Sequence, residues 1–199
     1  MRRRSQTEQA GHSRQPSQAD RGRRAPTWLL GCAVLVSLSL MLLPGCSDPD
    51  ASAYTEVTVG KLTVDRPADW ATELTVEAPW NQGFRPAPES VEQLQVSGDF
   101  GEYPTAAAAM GTLIGQAQVG LKGFTIVESR DVEIKGATTG RVTRYTITDN
   151  TGSQLSGEWF VAAHWPYPQS VAVSVLQPQF DADLERRILE SMELKPVLQ

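Results

Sequence analysis

Thiol and imidazole chemistry is scarce in this chain of 199 residues, which has two cysteines, Cys32 and Cys46, and two histidines, His12 and His164. From residue 46 onward there is no thiol pair for a disulfide and His164 is the sole imidazole, so zinc sites built from Cys and His are excluded. A catalytic base needs a nucleophile and an orienting partner within hydrogen-bond reach. The residues around His164, "AAHWPYP", supply neither, and no G-x-S-x-G occurs. The nearest imitation, "GATTG" at 136–140, carries Thr138 at its centre and reads as a turn entering a strand. "GQAQVGLK" at 115–122 mimics a phosphate loop, but its lysine comes one place late and at the end of a helix. The pair Asp48 and Asp50 lies in a polar tether, and Asp181 with Asp183 suits a helix N-terminus. An all-carboxylate metal site is not excluded by counting alone. The residues point to no catalytic set, no metal and no cofactor.

Aromatic side chains are the better candidates. Trp80, Phe84, Trp165 and Tyr167 stand in "WNQGFRPAP" and "WPYP", among prolines and glycines. Exposed aromatics on loops are common binding anchors; the alternative is that these four plug the ends of the core. Trp70 and Trp159 read as core. The chain carries 18 basic and 23 acidic residues. Seven arginines, Glu8 and Asp20 precede Cys46; taking these from the totals leaves 11 basic and 21 acidic residues after it, a balance of -10. Such a body repels nucleic acid and anionic lipid head groups.

Cys46 has a context of its own. Residues 1–27 are basic and nearly free of large apolar side chains, and residues 28–43, "WLLGCAVLVSLSLMLL", carry no charge. That apolar run is slightly longer than a typical signal-peptide core and shorter than the roughly 20 residues of a bilayer span. "LPGC", ending at Cys46, resembles the bacterial lipobox, which implies cleavage before Cys46 and acylation of its sulfur; Pro44 departs from the usual small residue. The alternative is a free thiol beside an uncleaved transmembrane helix. Arg23-Arg24 resembles a twin-arginine signal but lacks the hydrophobic residues expected after it. The predicted organisation is a lipoprotein signal peptide over 1–45, a lipidated tether over 46–54 and one domain over 55–196.

The elements that must position these residues follow from periodicity. Val57, Val59, Leu62 and Val64 alternate about Gly60, predicting a short strand pair. "TELTVEAP" and "VEQLQVSG" predict two more strands, with 80–90 a loop between them. Thr105 is placed to cap a helix in which Ala106, Met110, Leu113, Ile114, Ala117 and Leu121 recur at helical spacing. Gly111 and Gly115, four apart, suggest close approach of that helix to a sheet. Residues 124–128 and 132–134 predict short strands. In "GRVTRYTITDNTGSQLSGEWFVAAH", a three-residue loop at 150–152 with Gly152 left-handed sets a hairpin that pairs Ile147 with Leu155, Val142 with Phe160, Thr143 with Trp159 and Arg144 with Glu158. "SVAVSVLQ" is a further strand, and residues 180–192 a closing helix with Leu184, Ile188 and Met192 inward. The fold class is α+β, an antiparallel sheet flanked by helices in an αβα sandwich.

Taken together, "LTVDRPADW", "YPTAAAAM", "VEIKGATTGRVTRYTI" and "FDADLERRILESMEL" resemble the LpqN family of actinobacterial lipoproteins, whose fold is similar to that of PsbP, the extrinsic protein of photosystem II. The resemblance spans roughly residues 55–195. It implies a PsbP-like domain in the cell envelope, on the extracytoplasmic face of the cell membrane, and a binding or assembly role without catalysis. The expected partners are the membrane, through Cys46, and an unidentified envelope protein. The alternative is a carrier of a small apolar or glycolipid ligand.

Overall fold

A computed structural model describes residues 53–197. The leader, Cys46 and the tether as far as Ser52 lie outside the described residues. β1 (Tyr54–Val59) and β2 (Leu62–Pro67) form the first hairpin, with Val57 opposite Val64 and Val59 opposite Leu62. Gly60 turns it at φ +54, and a side chain there would press on the Gly98 carbonyl at 2.9 Å, so glycine meets both the left-handed backbone and the close approach. The chain returns to this hairpin at its far end: β10 (Glu193–Leu194) pairs with the free edge of β2, completing a three-stranded sheet.

The main sheet is antiparallel and seven-stranded. It comprises β3 (Thr72–Leu74), β4 (Gln82–Arg85), β5 (Gln93–Gly101), β6 (Thr125–Val132), β7 (Thr139–Thr148), β8 (Gln154–His164) and β9 (Gln169–Gln177). Their spatial order is β3-β4-β5-β9-β8-β7-β6. The β7–β8 hairpin has the register expected from the sequence in all four named pairs. Gly152 sits at φ +90, and the Asp149 carboxylate accepts the backbone N–H groups of Thr151 and Ser153, which closes the loop. β8 is buried on both faces because alternate residues enter different cores. Phe160 and Ala162 face one with Val142, Val173 and Val175; Trp159, Val161 and Ala163 face the other with Tyr145 and Ala172.

α1 (Ala106–Gly120) covers the Trp159 face. Thr105 caps it, its hydroxyl accepting the Ala108 N–H at 3.2 Å. α2 (Ala182–Ser191) and the small sheet cover the Phe160 face. The Asp181 carboxylate accepts the N–H groups of Asp183 and Leu184 at its N-terminus, and Leu184, Ile188 and Met192 are buried. The described residues therefore form a three-layer α+β sandwich.

Several local expectations are corrected. Residues 82–85 are strand β4 rather than loop; Gly83 lets β3 and β4 approach, since a Cβ there would meet Val76 at 2.6 Å and Leu74 at 3.0 Å. Residues 125–132 form one continuous edge strand, and its exposure explains why the sequence shows only fragments of alternation. Gly111 and Gly115 face open space. The close approach of α1 comes instead through the small Ala106, Ala109 and Ala117, buried with Met110 and Leu113, while Leu121 lies beyond the helix, exposed. α2 begins at Ala182, so Phe180 precedes it.

Candidate binding surfaces and a buried acid

The four candidate aromatics do not converge. Phe84 is 5% exposed, buried in the core beneath Arg66, whose guanidinium lies 4.8 Å from the ring centre. It has no surface to present, and the reading of it as a core plug holds. Trp80 is half-buried, 6.2 Å from Phe100, and lines a cleft of about 280 Å³ between α1 and the main sheet. Leu113, Tyr145 and Trp159 form apolar walls there, and Gln93, Gln95 and Gln116 supply amides. The cleft is open, and its volume falls just under the roughly 300–1,000 Å³ of typical small-molecule sites.

Trp165 and Tyr167 share the turn between β8 and β9 and are 55% and 44% exposed. Tyr167 lines a second cleft, of about 530 Å³, with Lys61, Asp99, Glu102, Gln169 and Val197. Gln169 fixes this end of the molecule. Its amide donates to the Val197 carbonyl at 2.9 Å and to the Tyr167 carbonyl at 3.3 Å, and accepts the Val197 N–H at 3.0 Å. Chain topology brings Lys61, Asp99 and Val197 together from distant segments, so no sequence motif announces this cleft. His164 ends β8, opposite Gln169, and its Nδ1 makes no hydrogen bond. Trp70 and Trp159 are both in the core.

One polar cluster was not legible as a site. Glu158 is 1% exposed and neither carboxyl oxygen has a hydrogen-bond partner. Arg144 lies opposite it in register, yet the guanidinium turns away to Glu128 at 2.6 Å and stacks 4.1 Å from the Phe180 ring centre. Arg130 binds Glu185 of α2 and lies 3.4 Å from Glu128. Burial pushes the Glu158 carboxyl up to about 8, with a further push from Glu185 and opposing pulls from Arg144 and Arg130. Glu158 thus holds its proton well above the ordinary carboxylate range.

No family model and no curated protein sequence matches this chain. Similarity appears among solved structures. Mog1p, a Ran-binding protein of Saccharomyces cerevisiae, superposes with a TM-score of 0.50 at 10% identity, covering 71% of this chain and 95% of its own. The cyanobacterial PsbP of Synechocystis gives 0.50 at 13% identity, covering 76% and 98%. LpqN of Mycobacterium tuberculosis, involved in cell envelope biogenesis, gives 0.47 at 14% identity, covering 72% and 91%. At such identities the likeness is one of architecture. The fold is α+β and PsbP-like.

Proposed function

We propose that this protein is an extracytoplasmic lipoprotein, acylated at Cys46 and held on the outer face of the cell membrane, that works as a non-catalytic protein-binding module of the envelope. The observation that carries this reading is the position of "LPGC": its cysteine stands eight residues before β1. Processing there would leave a folded domain on a tether of seven residues, 47–53, reaching at most about 24 Å. Two acyl chains give durable membrane attachment where one gives only reversible binding. The binding role draws support from the exposed Trp165 and Tyr167, and from the Ran-binding protein Mog1p, which shows one protein of this architecture serving in protein recognition.

Mass spectrometry of the membrane fraction tests the anchor. A lipid-modified peptide beginning at Cys46 is expected, and Cys46→Ser should release the protein or stall its precursor. An unmodified chain beginning at Met1 overturns the reading. Cross-linking in intact cells should capture one specific envelope protein, lost in a Trp165→Ala, Tyr167→Ala double variant that retains its melting temperature; an unchanged cross-link pattern removes the aromatic turn from the interface.

The cleft beside Trp80 favours a second reading, a carrier of a small apolar or glycolipid ligand. Native mass spectrometry of gently extracted protein separates the two: a copurifying small molecule supports the carrier, and a bare polypeptide the docking module.

A further inference from the structure

We infer that the cleft at the β8–β9 turn is a docking site for an arginine- or lysine-bearing segment of a partner protein. The inference rests on the binding-module reading above and specifies its partner. Tyr167 and Val197, 44% and 56% exposed, give this cleft apolar walls. Asp99 and Glu102 line the same cleft against a single lysine, Lys61. Lys61 binds only one oxygen of Asp99, at 3.2 Å, and Glu102 has no ion-pair partner among the described residues. The local balance is therefore negative, within a body that is itself acidic. A guanidinium seated between these carboxylates and the Tyr167 ring would gain charge-assisted hydrogen bonds and a cation–π contact together.

The protein already builds this arrangement internally. The Arg187 guanidinium binds Asp65 at 2.6 Å while lying 5.2 Å from the Tyr54 ring centre, so one cation meets a carboxylate and a tyrosine face at once. In the cleft at the β8–β9 turn the carboxylates and the tyrosine are present without an arginine. Its walls are also held in advance. The Gln169 side chain, 8% exposed, ties the Tyr167 turn to the segment at Val197 through three hydrogen bonds, which lowers the ordering cost of binding.

The acidic lining selects protein over lipid as the occupant. Lys61 follows the Gly60 turn of the first hairpin, whereas the chain leading back to Cys46 leaves from Ala53 at the hairpin's open end, paired there with Ala68. β1 separates the two by six residues, about 20 Å. The cleft thus lies at the end of the hairpin remote from Ala53, and its acidic lining repels anionic head groups.

Fluorescence polarisation on the full chain in detergent micelles tests the assignment. The probes are labelled pentapeptides, Gly-Leu-Arg-Leu-Gly and its Glu-centred counterpart. The arginine peptide should bind at least about tenfold more tightly than the glutamate peptide, and Glu102→Gln and Tyr167→Ala should each weaken it several-fold, with the weakening greater at low salt. Gln116→Ala, in the other cleft, should leave it unchanged. Equal binding of the two peptides, or insensitivity to both cleft substitutions, overturns the inference. In liposomes of brominated phosphatidylglycerol, quenching that falls on Trp165→Phe would place the turn in the bilayer and equally overturn it. Acylation of Cys46 is read separately, so a lipid-modified protein that ignores the arginine peptide refutes the cleft while leaving the tethered module standing.

Discussion

Replacing Glu158 by glutamine removes one titrating proton from the interior while keeping the shape of the side chain, and the consequence can be worked from its surroundings. The carboxyl is 1% exposed with no hydrogen-bond partner. Facing it are Glu128 and Arg130 from β6, Arg144 from β7, and Asp181 and Glu185 at the start of α2. Its value rises from an ordinary 4.5 to about 8, with burial the main cause. The folded-state value is the higher one, so between roughly pH 5 and 8 the unfolded chain has lost a proton that the native state keeps. Stability must then fall as pH rises, by about 1.4 kcal/mol per pH unit. Integrated over the window, the loss reaches about 5 kcal/mol, an upper limit because a swing of Arg144 or Arg130 toward the ionised acid would recover part of it. Urea unfolding at half-unit steps from pH 5 to pH 8.5 reads this directly. Groups common to both proteins cancel, so the wild-type curve should descend relative to that of Glu158→Gln by close to one proton's slope, whatever constant offset the unsatisfied amide introduces. Parallel curves would refute a buried neutral acid at this position.

Two further substitutions probe the packing. Gly111→Ala and Gly115→Ala should each raise stability by about 1 kcal/mol, since both glycines lie in the interior of α1 and an added Cβ meets nothing within 4 Å; a fall in the urea midpoint would mean that the outer face of α1 is covered. Gly157→Ala should instead destabilise by about 1–3 kcal/mol, because its Cβ would come within 2.2 Å of the Tyr145 ring, itself wedged 4.1 Å from Trp159 between ring centres. A neutral melting temperature for that variant would contradict the packing of β7 on β8.

What could be read from the sequence follows the length over which a pattern persists. The β7–β8 hairpin declared itself because one left-handed glycine fixes every pair behind it, and each apolar match then tests the same register. α2 was equally plain, with an aspartate cap and a single apolar stripe. β4 was hidden because its glycine and flanking prolines look like punctuation, although Gly83 serves strand packing. The environment of Glu158 was half legible: alternation put it opposite Arg144, but register fixes Cα positions and not where a long side chain goes, and Arg144 chose Glu128. Tyr167 could be singled out from its loop, whereas Lys61, Asp99 and Glu102 join it only through the order of the sheet.

The pairing of β10 with β2 has a consequence for how the protein comes into being. Leu194 lies against Leu62 across a separation of 132 residues, and the backbone N–H groups of Leu194 and Lys195 donate to opposite sides, to the carbonyls of Lys135 and Lys61. A chain emerging N-terminus first, from a ribosome or through a pore, leaves β2 with a bare edge until Glu193 and Leu194 arrive. Closure of the small sheet therefore waits until every other described strand has emerged, and a nonsense codon before Glu193 would leave the first hairpin open to whatever strand drifts past.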